Sequence, residues 1–124
     1  MKELTRKLKD FLANDPNVAF AHLFGSAAAG VLRKNSDIDI AICFYKPPEG
    51  MDLLRFITAL SEMAGKDVDV VVLNTASAFL RHHVMKHRVA LTINDETAYR
   101  KFREKTIADY DEYNYVSGMS AYDR

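Results

Sequence analysis

Two short acidic patterns in this 124-residue sequence place carboxylates where they could act together. Asp37 and Asp39 are separated by one residue at the start of a hydrophobic run, and Asp67 and Asp69 repeat that spacing among valines. Because successive side chains of a β-strand point to opposite faces, the two acids of each pair should share one face. Carboxylates this close repel one another unless a cation lies between them, and their oxygen atoms favour Mg²⁺ or Mn²⁺ over Zn²⁺. The pattern therefore predicts a divalent metal site.

A glycine-serine dipeptide upstream has the chemistry of a phosphate-binding turn. Gly25 and Ser26 follow an apolar run and precede the small residues Ala27–Ala29. Glycine allows close approach of the backbone, serine supplies a hydroxyl, and the N-terminus of a helix attracts phosphate oxygens. We expect this turn to lie beside the metal site. A third carboxylate is what a two-metal phosphoryl-type transfer requires, and we expect it to be Asp69, with Asp67 as the alternative.

Hydrophobic periodicity predicts the elements that must position these residues. Short apolar runs predict strands at Val18–Phe24, Ile38–Phe44, Val68–Leu73 and Val89–Ile93, and helical spacing predicts helices around Leu4–Leu12, Leu53–Ala64, Phe79–His87 and Tyr99–Tyr113. Gly65 is expected to end the second helix, and Asn74 or Thr75 to cap the third. The order predicts an α/β (α+β) fold, a mixed sheet of four to five strands with helices packed on it, in a single domain spanning residues 1–124.

Composition argues against several other classes of protein. Seventeen Lys and Arg residues balance seventeen Asp and Glu residues, so binding that neutralises many phosphates of a long nucleic acid is not expected. The single cysteine, Cys43, excludes an internal disulfide and a multi-cysteine metal site. No apolar run approaches the ~18 residues of a membrane-spanning helix, and the charged first ten residues do not resemble a secretory signal. We therefore expect a cytoplasmic protein with no membrane partner.

The spacing of these residues resembles the signature of a known superfamily. Gly25-Ser26, ten intervening residues and Asp37-x-Asp39 with hydrophobic neighbours are similar to the motif of the DNA polymerase beta-like nucleotidyltransferases. The small size resembles their minimal nucleotidyltransferase (MNT) branch, which includes the antitoxins of HEPN toxins. The likeness extends more loosely through Val68–Val71 and the elements that follow. It implies a nucleotidyltransferase fold.

The resemblance also implies an activity and roles for individual residues. It implies an antitoxin that transfers AMP from ATP to a tyrosine of a cognate HEPN RNase toxin. Ser26 would contact the nucleotide phosphates, Asp37 and Asp39 would hold Mg²⁺ or Mn²⁺, and Asp69 would help to activate the acceptor hydroxyl. Two rival functions stay open. One is a non-catalytic antitoxin that neutralises the toxin by binding. The other is transfer to a small molecule such as an aminoglycoside, for which relatives usually carry an additional helical domain.

Two further groups of side chains have open interpretations. A basic cluster on the third predicted helix either forms a solvated helix face or contacts a triphosphate or an acidic partner; it comprises Arg81, His82, His83, Lys86, His87 and Arg88. Tyrosines and acids alternate near the end of the sequence. They form either the apolar side of the last helix or a docking surface for a partner.

Overall fold

The computed structural model describes residues 2–25 and 37–122, with side chains for residues 3–25 and 37–116. The helices in these ranges are α1 (Lys2–Ala13), α2 (Gly50–Ala64), α3 (Ala78–Lys86) and α4 (Glu96–Tyr122). The strands are β1 (Val18–Phe24), β2 (Ile38–Phe44), β3 (Val68–Val72) and β4 (Val89–Ile93), and a 3₁₀ turn (Leu73–Thr75) follows β3. The four helices and four strands predicted within these ranges are confirmed, with β3 ending one residue earlier than expected, and the helix start expected at Ala27 lies outside the described residues. Within the described ranges, no helix combines the length and apolarity needed to cross a membrane.

The four strands form one mixed sheet in the order β3-β2-β1-β4. Strand β1 is antiparallel to both of its neighbours, β2 and β4, whereas β2 and β3 are parallel. Strands β2, β3 and β4 therefore all begin at the edge of the sheet where β1 ends. We call this the β1 exit edge. The segments that carry both acidic pairs meet there.

Among the described residues, two helices pack on each face of the sheet. One face packs on α1 and α2 through a core that includes Leu8, Leu12, Ile38, Ile40, Ile42 and Leu60. The other face packs on α3 and α4 through a core that includes Phe20, Ala41, Leu73, Val84 and Tyr99. Because strand side chains alternate, the isoleucines of β2 fix Asp39 on the face that α3 and α4 cover.

The start of α3 differs from the sequence prediction. Its N-cap is Ser77, whose hydroxyl accepts a hydrogen bond from the backbone N–H of Leu80 at 3.2 Å. The expectation that Asn74 or Thr75 caps this helix was wrong, because both lie in the preceding 3₁₀ turn. The amide of Asn74 is bound instead to the end of β2. It donates to the carbonyl of Phe44 at 2.8 Å and accepts from the N–H of Phe44 at 2.9 Å.

Candidate active site

The four aspartates of the acidic patterns lie together at the β1 exit edge. The parallel register of β2 and β3 makes Asp39 and Asp69 direct partners on adjacent strands. One residue earlier, the backbone N–H of Ile38 donates to the carbonyl of Asp67 at 3.0 Å, so the pairing extends to the first acid of the second pattern. Asp39 is partly buried, whereas Asp37, Asp67 and Asp69 are exposed. The structure therefore brings together all four predicted acids, with Asp39 the most enclosed.

Asp39 and Asp69 lie on the sheet face that α3 and α4 cover. Ala41 and Val71, two residues further along β2 and β3, pack in the core of that face. Because side chains alternate along a strand, the two aspartates share this face with them. The two aspartates thus lie at the border of this apolar core, on the side of the β1 exit edge.

Gly25 brings the backbone after β1 into close contact with Asp39. Phe24, the last residue of β1, pairs with Asp39 across the sheet. Gly25 follows with φ of +69°, and a Cβ atom built on it would lie only 2.5 Å from Oδ2 of Asp39. Glycine is therefore required both for the backbone conformation and for space beside the carboxylate. Ser26 lies outside the described residues, so its predicted contact with phosphate stays a prediction.

The surroundings of Asp39 disfavour its negative charge. Burial raises the pKa of the Asp39 carboxyl above its ordinary value, and the negative charges of Asp69 and then Asp37 raise the pKa further. A carboxylate in this position gains most from a nearby cation, because a cation offsets both the lost hydration and the repulsion. These electrostatics favour a cation beside Asp39.

The aspartates at this edge could supply some of the oxygen ligands of a hard divalent cation. The remaining ligands would have to come from another molecule. Among residues 3–25 and 37–116, no three His, Cys, Asp or Glu side chains are close enough to hold a metal ion by themselves. Mg²⁺ in nucleotide-processing sites is commonly bound by one or two carboxylates together with substrate phosphates. Asp37, Asp39 and Asp69 therefore fit a cation that binds jointly with a nucleotide.

His22 of β1 belongs to the core. His22 is fully buried, and its ring centroid lies 5.4 Å from the ring centroids of both Phe20 and Tyr99. Burial, and secondarily the positive charge of Arg88, lower the pKa of His22 to about 4. His22 is therefore neutral at neutral pH and shielded from substrate. His22 is therefore not a candidate proton acceptor for this site, whereas the exposed carboxylates are.

The sequence analysis missed one basic residue near this edge. Arg103 of α4 joins His82, Lys86 and Arg88 around a cavity between α3 and α4. Arg103 lies four residues after Tyr99, which is one turn along the same helix face. That spacing was visible in the sequence. The packing of α4 on α3 was not.

Alanine at Gly25 should damage the site in a way that alanine at Gly65 does not. Gly65 ends α2 as predicted and has the same φ of +69°, but nothing lies within 4 Å of a Cβ atom built there. Both Gly25→Ala and Gly65→Ala should lose about 1 kcal/mol of stability from backbone strain. Only Gly25→Ala should displace the Asp39 carboxylate and weaken Mg²⁺-ATP binding, by about 10- to 100-fold. Denaturant unfolding and calorimetry measure the two effects, and equal nucleotide affinity in both variants would contradict the assignment.

Asp39→Asn should stabilise the metal-free protein at neutral pH. Since the folded state raises the pKa of Asp39, the ionised carboxylate lowers the free energy of unfolding above that pKa. The cost disappears as the pH falls below 3.8, the ordinary pKa of an aspartate carboxyl. The difference in stability between the variant and the wild type should therefore become smaller as the pH falls. Denaturant unfolding in EDTA across this pH range measures the difference. A variant less stable than the wild type at neutral pH would show that Asp39 is not repelled by its neighbours.

Comparison with known proteins agrees with the predicted fold. The family described as "Polymerase beta, Nucleotidyltransferase" matches residues 6–97. The chain is 32% identical over 99 residues to the protein adenylyltransferase MntA of Shewanella oneidensis, covering 78% of this chain and 69% of that protein. It is 33% identical over 89 residues to MJ0435 of Methanocaldococcus jannaschii, named for an inferred protein adenylyltransferase activity, covering 72% of this chain and 95% of that protein.

Two solved structures share the fold over nearly the whole chain. A crystal structure of a toxin-antitoxin with AMP-PNP superposes with a TM-score of 0.82 and 28% identity, covering 96% of each chain. An MNT antitoxin in complex with a tri-AMPylated Shewanella oneidensis HEPN toxin superposes with a TM-score of 0.76 and 25% identity, covering 99% of this chain and 98% of that one. The predicted fold and the resemblance are confirmed. This chain belongs to the polymerase beta-type nucleotidyltransferase family.

Proposed function

We propose that this chain is an antitoxin that transfers AMP from ATP to a tyrosine of a cognate HEPN RNase toxin, acting as a single domain with Mg²⁺ or Mn²⁺. The observation that carries the proposal is the Asp39 and Asp69 pair beside the turn at Gly25. The fold shared with a toxin-antitoxin bound to AMP-PNP and with an MNT antitoxin bound to an AMPylated toxin supports it. Because the toxin acts on RNA, the pair would work in the cytoplasm.

Each acid has a role that follows from its position. When bound, a divalent cation would polarise the α-phosphate of ATP and offset the charge of the departing pyrophosphate. Asp37 and Asp39 would hold that cation at the start of β2. The missing side chain at Gly25 leaves room for the Asp39 carboxylate against the backbone that follows β1, where it could hold that cation. These residues bind and orient the nucleotide, and no covalent protein intermediate is required.

Asp69 is the acid best placed to accept the proton of the acceptor. It is exposed, lies opposite Asp39, and is the neighbouring charge that contributes most to the raised pKa of Asp39. The tyrosine oxygen would attack the α-phosphorus and give its proton to Asp69. As the new oxygen-phosphorus bond forms, the bond to the bridging oxygen breaks and pyrophosphate leaves. Asp67 lies just before β3, two residues before Asp69 in the sequence.

Transfer to an acceptor that already carries AMP is the same reaction. An attached AMP unit retains ribose hydroxyls, which can replace the tyrosine hydroxyl as nucleophile. The tri-AMPylated toxin held by a structurally similar antitoxin supports this extension. We propose that the chain adds several AMP units in succession.

Asp69→Asn should slow transfer more than it weakens ATP binding. Removing a proton acceptor affects the chemical step, whereas Asp37 and Asp39 would still hold the cation and nucleotide. We expect the single-turnover rate to fall by about 100-fold or more, with ATP affinity changed by less than about threefold. Asp67→Asn is the matched control, with the same charge change two residues away, just before β3. A larger rate loss for Asp67→Asn would reverse the assignment.

Incubation of this chain with a cognate HEPN toxin, ATP and Mg²⁺ tests the whole proposal. The toxin should gain mass in whole AMP units, attached at a tyrosine. Asp39→Asn should abolish the mass gain while leaving the complex assembled in a pull-down. The reason is that docking depends on broad surfaces, to which one partly buried carboxylate contributes little. Intact-mass spectrometry of the toxin reads the first outcome.

The result that would contradict the proposal is neutralisation without modification. If the wild-type chain silences the toxin in the presence of ATP while the toxin mass stays unchanged, the chain is a non-catalytic antitoxin. The acids at the β1 exit edge would then need another explanation.

A further inference from the structure

A basic cavity of about 240 Å³ lies between α3 and α4. The described residues that line it are His82, Met85, Lys86, Arg88, Arg103, Thr106 and Ile107. Three of them are permanent cations and none is a carboxylate. The ion pairs found in the described parts of the chain involve other cations, namely Arg55, Arg81 and Lys105. Positive charge is thus concentrated here without an internal counterion in the described residues, which favours an external anion.

Two of the cationic groups are held in place by one aromatic ring. Tyr99 is 8% exposed, and the guanidinium carbons of Arg88 and Arg103 both lie 5.8 Å from its ring centroid. Arg88 also donates a hydrogen bond to the backbone carbonyl of Met85. Cation-π contacts of this kind orient the guanidinium groups before any ligand arrives. Two of the cations that line the cavity are therefore positioned by contacts within the protein.

The cavity lies on the same face of the sheet as Asp39, near the same edge. Leu23 of β1 pairs with Ile40 on one side and with Val89 on the other. Asp39 directly precedes Ile40, and Arg88 directly precedes Val89. Asp39 and Arg88 therefore lie at the same level of the sheet, two strands apart, on either side of β1. Two strand spacings place their backbones about 10 Å apart. Both side chains lie on the sheet face that α3 and α4 cover, as the contacts of Arg88 with Tyr99 show.

The size of the cavity fits part of a nucleotide. Its 240 Å³ falls below the range of about 300–1,000 Å³ found for pockets that enclose drug-sized ligands. The cations suit a phosphate, and the apolar side chains of Met85 and Ile107 suit the ribose or base attached to it. We propose that this cavity binds the phosphodiester of an AMP unit already attached to the acceptor. This inference rests on the proposed function. It assigns to the residues that line the cavity the task of holding an AMP-carrying acceptor for the next transfer of AMP.

Charge explains why a second transfer needs such a site and the first does not. A tyrosine hydroxyl is neutral, whereas an acceptor that carries AMP brings a negative phosphodiester towards four aspartates. The cations of the cavity would hold that phosphodiester while a ribose hydroxyl reaches the acids. The hydroxyl oxygen would then attack the α-phosphorus of a new ATP, its proton would pass to Asp69, and pyrophosphate would leave.

A double substitution separates the second transfer from the first. Lys86 and Arg103 are both exposed, so Lys86→Gln with Arg103→Gln should leave the fold intact. Arg100→Gln with Lys101→Gln is the matched control, because it removes the same charge from exposed positions on α4 outside the cavity. We expect the cavity variant to keep wild-type ATP affinity and first transfer. Its second transfer to the toxin should be about tenfold slower or more, which the control should not show.

A binding measurement tests the cavity without relying on catalysis. The dinucleotide adenylyl-adenosine, which contains one phosphodiester and free ribose hydroxyls, is titrated into each protein in the absence of ATP. The wild type and the control variant should bind it more tightly than the cavity variant, by about tenfold. Equal binding by all three proteins would overturn the inference, whatever the enzyme does with the toxin.

The other outcomes are distinguishable. Loss of ATP affinity and first transfer in the cavity variant would show that the cavity holds the triphosphate of ATP, and would overturn the inference. The inference would also be overturned if the wild-type enzyme added only one AMP to the toxin, or if it attached each AMP to a different side chain. A wild-type chain that leaves the toxin mass unchanged would refute the proposed function, and dinucleotide binding would still decide the cavity.

Discussion

The pairing of Asp39 with Asp69 on adjacent parallel strands is the constraint on which the site depends. Burial and neighbouring negative charge oppose the ionised form of Asp39, so the unliganded protein folds against this repulsion. The opposing free energy comes from the residues that alternate with the acids. Ile38 and Val68 are almost fully buried against α1 and α2, and they fix the register that brings the carboxylates together. The same alternation that builds one core therefore builds the site on the other face.

The β1 exit edge separates charge of opposite sign over a short distance. Acids lie at the start of β2 and β3, and the cations Lys86 and Arg88 lie just before β4. This arrangement explains how a chain with no net charge can handle anionic substrates. The acids suit phosphates that arrive with a cation, whereas the basic cavity suits a phosphate that arrives without one.

Local patterns predicted much of this fold, and the errors arose where distant segments meet. Alternation of side chains along a strand is a local property. The sequence alone therefore predicts that Asp37 and Asp39 share one face. The pairing of Asp39 with Asp69 rather than another acid depends on the register between strands. The sequence predicts Asn74 or Thr75 as a helix cap, yet Asn74 binds Phe44, which is thirty residues away in sequence. The position of Arg103 beside the basic cluster likewise depends on how α4 packs against α3.

The dependence of ATP binding on a divalent cation tests the central claim most directly. No three described side chains can hold a metal alone, and the carboxylates repel phosphates, so cation and nucleotide should bind together. Calorimetric titration of ATP into the wild-type chain should give an affinity at least about tenfold higher in Mg²⁺ than in EDTA. The gain should vanish when Asp37 and Asp39 are both changed to Asn. Equal ATP affinity with and without the cation in the wild type would contradict a metal-bridged site.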